Sequence, residues 1–262
     1  MIEEISELKG FCLSAIPGLM LYHAGRTDIG CKRQKNDDAI GFFSREEPNY
    51  SCLFVVADGV GGSAAGDVAS QLAVDTIGRL FFAGGDPVDP ARALGEALAT
   101  ANRVICDRTA TDPRLAGMAT TCTTAVIRGQ EIWLAHVGDC RAYLIGDGGL
   151  KQLTTDHSAA ADYERRGRVL PPEKQGLANV LTRWLGSDEK FEVDLSEAIP
   201  LPPEHTLLIC SDGLTKVVDT DDILQIVSMN SPDQACPRLI DLARKRGGPD
   251  NITVMLAKLT KA

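Results

Sequence analysis

Four aspartates in this chain stand at the ends of segments apolar enough to be buried β-strands. SCLFVVA (51–57) runs into Asp58-Gly59, IWLAHVG (132–138) into Asp139, and TLLICS (206–211) into Asp212-Gly213, while Asp250-Asn251 leads into ITVMLA (252–257). Continuous apolar runs of this length read as strands covered on both faces. For any one of the four, turn chemistry is a sufficient explanation, because Asp-Gly is a strong turn signal. Asp147-Gly148 is read as such a hairpin turn. Taken jointly, the four ask for more. If the strand ends converge, mutual repulsion and desolvation force the carboxylates to protonate unless cations hold them ionised. A donor set of oxygens alone points to hard ions such as Mg²⁺ or Mn²⁺, and His-rich zinc chemistry has no support.

Between these runs the apolar period changes. Val68, Ala69, Leu72, Ala73, Ile77 and Leu80 predict a helix over 63–82, and Leu94, Leu98, Ala101 and Ile105 a second over 91–108. Asp86-Pro87 and Asp89-Pro90 break the chain between them, so the pair reads as a helical hairpin lying on a sheet. Short strands are predicted over 121–128, 132–137, 140–145, 206–210 and 252–259. Thr220-Asp221-Asp222 opens a helix through Met229 with side-chain oxygens available as caps, and Ser231-Pro232 opens another through Arg246. Strands and helices cluster rather than alternate, which favours an α+β fold over a doubly wound sheet. Residues 1–18 read as a leader ending at Pro17-Gly18, and 19–262 as a single domain. Within it, the polar stretch at about 155–190 reads as a flap insert with little deep core.

Composition narrows the function classes. A 262-residue chain with 44% apolar and 24% charged residues is ordinary globular material, and no apolar run approaches the roughly 18 residues of a membrane span. The net charge of −9 gives no broad footprint for nucleic acid or anionic lipid. Eight cysteines include no C-x-x-C pair, and Cys52, Cys122 and Cys210 lie in strand-like runs as small hydrophobes. They read as reduced thiols of a cytosolic protein. The opening MIEEISELKG has no basic n-region and is not read as a signal peptide.

Arg33-Gln34-Lys35-Asn36-Asp37-Asp38 adds a polar run whose default reading is a solvated loop. A functional reading gives the arginine a bidentate grip on a phosphate, with the two acids supporting metal waters. With these residues the resemblance is plain: the chain resembles the bacterial type 2C metal-dependent protein serine/threonine phosphatases. The matching pieces are TDIGCKRQKNDD (27–38), VVADGVGGSAAGDVAS (55–70), GMATTCTTAV (117–126), AHVGDCRAYL (135–144), LTTDHS (153–158), LTRWLG (181–186), LLICSDGL (207–214) and GGPDNITVML (247–256), in family order.

The resemblance implies two packed antiparallel sheets flanked on both sides by helices, a four-layer αββα sandwich. It implies that Asp58 bridges two metal ions about 4 Å apart. The carbonyl of Gly59 would bind one of them, and Asp212 and Asp250 would complete the other. Asp37 and Asp38 would act mainly through water on the metals, Arg33 would bind the substrate phosphate, and Asp139 with Asp212 would hold a third, weaker ion. The implied cofactors are Mn²⁺ or Mg²⁺. The implied partners are phosphorylated targets of a bacterial serine/threonine kinase, approached by a cytoplasmic monomer that binds neither nucleic acid nor membrane.

The chain departs from the family pattern at three places. Asp37 stands where glutamate is usual and Cys140 where serine is usual. Val60 stands where eukaryotic relatives carry a histidine taken to be the general acid, so leaving-group protonation must come from water, from a metal-bound water or from a histidine elsewhere. Of the four histidines, His136 and His157 are expected to be structural, and His23 and His205 give no signal. Arg183 reads either as orienting a loop near the site or as half of a buried ion pair, and Arg165-Arg166-Gly167-Arg168 as a solvated face. The rival from another class is a dinucleotide-binding oxidoreductase, since Gly59-x-Gly61-x-x-Ala64 follows a strand and opens a helix. Against it, Asp58 would face the pyrophosphate, and no second strand ends in an acid about twenty residues on. A catalytically silent relative that only docks phosphoproteins is the third reading.

Overall fold

Along the strand Ser51–Asp58, alternate side chains serve two different apolar layers. Leu53, Val55 and Ala57 pack with helical residues, whereas Cys52, Phe54 and Val56 pack against a second sheet. That period-two division of a continuous apolar run is what a strand covered on both faces requires. In the computed structural model, residues 7–13, 16, 18–46, 50–60, 65–187 and 191–261 are described.

Among these, the chain runs β1 (Glu7–Leu13), β2 (Leu19–Asp28), β3 (Asp38–Arg45), β4 (Ser51–Asp58), α1 (Gly66–Phe81), α2 (Pro90–Thr111), β5 (Cys122–Arg128), β6 (Glu131–Val137), β7 (Arg141–Gly146) and β8 (Gly149–Gln152). It continues through α3 (Ala159–Arg165), β9 (Asp194–Leu195), β10 (Ile199–Pro200), β11 (Thr206–Cys210), α4 (Asp212–Thr215), α5 (Thr220–Met229), α6 (Pro232–Lys245) and β12 (Ile252–Lys261). One sheet has the order β1-β2-β12-β11-β7-β8, the other β10-β6-β5-β4-β3 with β9 also paired to β6. Every pairing in both sheets is antiparallel.

Three apolar layers hold the sandwich. Leu53, Val55, Ala73, Ile77, Leu94 and Leu98 close α1 and α2 onto the second sheet. Phe54, Val56, Ile127, Ile209, Met255 and Leu259 fill the space between the sheets. Leu208, Leu256, Ile223, Leu239 and Ile240 close α5 and α6 onto the first sheet. The expected four-layer α+β sandwich is therefore what forms, and the doubly wound alternative is excluded by the antiparallel pairing. Among the described residues no helix is long and apolar enough to cross a membrane.

Several local expectations need correction. The segment read as a leader carries β1, paired with β2 from Glu7↔Arg26 to Leu13↔Met20. An edge strand takes its definition from its neighbour, and its own pattern is too mixed to announce it. β2 and β3 carry no strand signal of their own, because their apolar residues are interrupted by polar and glycine positions. The cap of α5 is Asp219, one residue before the predicted trio, accepting from the Asp222 N–H at 3.0 Å. Asp89 caps α2 in the same way, with Pro90 at the first helical position. The flap stretch is mostly exposed, yet Leu185 within it is fully buried in the helix–sheet core. Residues 61–64, which carry Gly61 and Ala64 of the dinucleotide-like glycine spacing, lie outside the described residues.

Candidate active site

The sheet pairing brings the acidic strand ends to one rim. Asp38 opens β3 and lies directly opposite Asp58, the last residue of β4. Two carboxylates facing each other across an antiparallel pair destabilise a sheet unless something offsets them. Asp139 sits between β6 and β7, Asp212 opens α4 two residues after β11, and Asp250 lies two residues before β12. Close backbone approach fixes the rim. A Cβ on Gly59 would lie 2.4 Å from the Gly66 carbonyl carbon, and one on Gly213 would lie 1.9 Å from the Asn251 oxygen, so both positions require glycine.

Asp58, Asp139, Asp212 and Asp250 line one open cleft of about 610 Å³ together with Arg33 and Val60. Val180, Leu181 and Trp184 of the flap stretch form its other wall. Asp38, paired opposite Asp58, is buried. Its Oδ2 accepts hydrogen bonds from the hydroxyls of Ser211 at 2.8 Å and Thr253 at 2.5 Å, while its Oδ1 is buried with no hydrogen-bond partner among the described residues. Asp212 Oδ1 is likewise buried and unpartnered. Asp37 takes a different position. Its carboxylate accepts from the Asp67 N–H at the start of α1, and its backbone carbonyl accepts from the Gly59 N–H.

Burial dominates the electrostatics. It pushes Asp38 up to about 7, with Asp212 and Asp250 adding to the shift against the two hydroxyl hydrogen bonds. It pushes Asp139 to about 7 as well, helped by Asp212 and Asp156. Asp58 is raised well above the carboxylate range by burial and by four neighbouring aspartates. Asp212 is raised by burial, with Lys216 opposing. For Asp250 burial is outweighed by Lys216 and Arg33, which hold it below the usual range. Arg33 Nε stands 2.8 Å from Asp250 Oδ1.

Among the described residues no three acidic, cysteine or histidine side chains are already gathered about one ion-sized point. The donor chemistry nevertheless fits hard divalent cations. The oxygens are carboxylate oxygens, two of them are buried with no partner, and the site concentrates negative charge that burial penalises.

His136 and His157, both buried, are committed to structure. His136 Nδ1 lies 2.8 Å from the Thr123 hydroxyl and Nε2 lies 3.2 Å from the Thr155 carbonyl, and burial lowers its pKa to about 4. His157 Nδ1 accepts the Gly138 N–H at 3.0 Å, which leaves the Nε2 proton to Asp194 at 3.1 Å. Arg183 joins the same Asp194 at 2.8 Å, an ion pair as expected, but half-exposed and not buried. Arg165, Arg166 and Arg168 are exposed, as a solvated face requires.

Sequence reasoning missed the residues that support the aspartates. Asn251 donates to the carbonyls of Ile29 and Lys35 and accepts from the Asp37 N–H, pinning the Arg33 loop to the start of β12. Ser211 and Thr253 grip Asp38, and Lys216 grips Asp212 and Asp250. Strand alternation could have placed Thr253 beside Asn251, and the four-residue spacing from Asp212 could have flagged Lys216.

A family model described as Protein phosphatase 2C matches residues 31–239. Serine/threonine protein phosphatase PstP of Mycobacterium tuberculosis (strain H37Rv) is 34% identical over 247 residues, covering 91% of this chain and 45% of that protein. The chain thus spans about half the length of that relative. Serine/threonine phosphatase stp of Listeria monocytogenes serovar 1/2a is 34% identical over 241 residues, covering 89% of this chain and 94% of the listerial protein. Among solved structures, the S. agalactiae serine/threonine phosphatase superposes with a TM-score of 0.82 at 32% identity, covering 91% of this chain and 99% of that one. The catalytic domain of PstP in complex with two manganese ions gives 0.79 at 33% identity, covering 93% and 100%.

Proposed function

The chain belongs to the protein phosphatase 2C family, and on that premise we propose that it hydrolyses phosphoserine and phosphothreonine in phosphorylated proteins at a pair of Mn²⁺ or Mg²⁺ ions. The observation that carries the reading is the convergence of four strand-end aspartates on one cleft, with a fifth carboxylate, Asp38, paired opposite Asp58. Bound metals supply an activated water and offset the charge of the phosphoryl oxygens.

The residues then divide the work. Asp58, the Gly59 carbonyl, Asp212 and Asp250 would hold the paired ions, and Asp139 with Asp212 a third. Asp38, fixed by two hydroxyls at one oxygen, would use the other as an acceptor for water on the metals. Asp37 would serve the same outer shell, although its carboxylate leans on the start of α1. Arg33 reaches the cleft from a loop that Asn251 anchors, which suits a phosphate grip. Val60 lines the cleft and has no proton to give, so the leaving group draws its proton from solvent.

Residues 19–262 would act as one catalytic unit, with the flap stretch bordering the substrate. A monomer working on targets of a bacterial serine/threonine kinase, in the cytoplasm, completes the reading. Eight cysteines outside any disulfide suit a reducing compartment. The test is phosphate release from a phosphoserine peptide. Release with Mn²⁺ that stops on adding EDTA is expected. Tight peptide binding without release would instead make the chain a docking relative.

A further inference from the structure

Lys216 has no part in the roles above. It follows α4 directly, and its backbone N–H is tied to the Asp212 carbonyl at 2.8 Å. Its Nζ lies 2.7 Å from Asp212 Oδ2 and 2.7 Å from Asp250 Oδ2, with the side chain 35% exposed. One ammonium therefore spans two carboxylates that arrive from different strands. The remaining oxygens are disposed differently. Asp250 Oδ1 is taken by Arg33 and by the Asn251 N–H at 2.9 Å, whereas Asp212 Oδ1 is buried and unpartnered. The pair of Oδ2 atoms aimed at a single point is thus where a cation is best held, and a tethered cation already stands there.

An ammonium and a divalent ion cannot share those oxygens at contact distance, because two positive charges a few ångströms apart repel each other in a partly desolvated site. A lysine on a surface ion pair would be energetically small. This one is different in kind, since it makes two charge-assisted contacts in a cleft crowded with carboxylates. We propose that Lys216 is a built-in counter-cation of the metal site. It holds Asp212 and Asp250 together when metal is absent and is displaced when they bind a divalent ion. It thereby sets the metal concentration at which the site fills. The inference rests on the phosphatase reading only in taking Asp212 and Asp250 as metal ligands.

The test is calorimetric titration of Mn²⁺ into the metal-free full chain, with Tm recorded with and without metal, for wild type, Lys216→Met and Lys216→Gln. Removing the competitor should tighten Mn²⁺ binding by roughly tenfold, the weight of a charge-assisted hydrogen bond. The metal-free Tm should fall while the Mn²⁺-loaded Tm stays near wild type. Unchanged or weaker Mn²⁺ binding, or an equal loss of Tm in both states, overturns the proposal and leaves Lys216 a structural tether. If Lys216→Met fails to fold, the Lys216→Gln titration decides. Phosphopeptide turnover by the wild type is read separately, so a chain that binds Mn²⁺ with the expected Lys216 dependence but releases no phosphate would defeat the phosphatase reading alone.

Discussion

Arg33 and Val60 are the two residues of the cleft whose chemistry can be separated from the metal ligands. Arg33 is paired with Asp250, yet its side chain remains 38% exposed toward the cleft. A guanidinium that grips phosphate contributes in both ground and transition states. Arg33→Ala should therefore raise KM and lower kcat/KM by roughly ten- to hundredfold, the range of a charge-assisted hydrogen bond. Steady-state kinetics on a phosphopeptide measures this, and unchanged constants would return the residue to a role in the Asp250 ion pair. Val60 makes a different prediction. With solvent as the proton donor, aryl phosphates should react much faster than alkyl ones, because a good leaving group needs little protonation. His157 is buried, with both ring nitrogens engaged away from the cleft. The pH profile of kcat/KM should accordingly lack a falling limb near 6.5. Such a limb, lost in His157→Ala, would make His157 the acid.

The loop of residues 29–37 and the start of β12 behave as one element because Asn251 joins them. Its amide satisfies two backbone carbonyls and its oxygen one N–H. Asn251→Ala leaves those groups unpaired and should destabilise the fold by about 3 kcal/mol in urea titration, with a weaker phosphate grip as the Arg33 loop loosens. β6 carries a second test. His136 is neutral in the folded chain, with a pKa lowered to about 4 chiefly by burial, whereas an unfolded histidine titrates near 6.5. The unfolded state binds the extra proton first, so this contribution to stability is intact above pH 6.5 and declines as pH falls toward 4. Between pH 7 and pH 4, wild type should lose on the order of 3 kcal/mol more than His136→Gln. The raised carboxylates of the metal site act with the opposite sign over the same range, and comparing the two proteins cancels them.

Across the whole molecule, what could be read in advance follows from which elements declare themselves alone. β4, β11 and β12 are continuous apolar runs buried on both faces, and α1 and α2 carry plain helical spacing, so both sheets and one helical layer were legible. β1 and β2 were not, since Gly10, His23 and Arg26 interrupt them and their pairing with each other supplies the order. The acidic rim was legible as a hypothesis, because an aspartate ending each buried strand is unusual only when the four are considered together. Its supports were not. Ser211, Thr253 and Asn251 are ordinary polar residues until β11, β12 and the Arg33 loop meet, and Lys216 acquires its role only from the closeness of Asp250 to Asp212. On the proposed reading these strand ends would hold two metal ions, with Asp58 among the residues that bind them. Counting Mn²⁺ ions bound per chain at equilibrium, in wild type and in the nearly isosteric Asp58→Asn, tests it most directly. Two tightly bound ions in wild type and neither in the variant are predicted, and an unchanged count in Asp58→Asn would contradict the account.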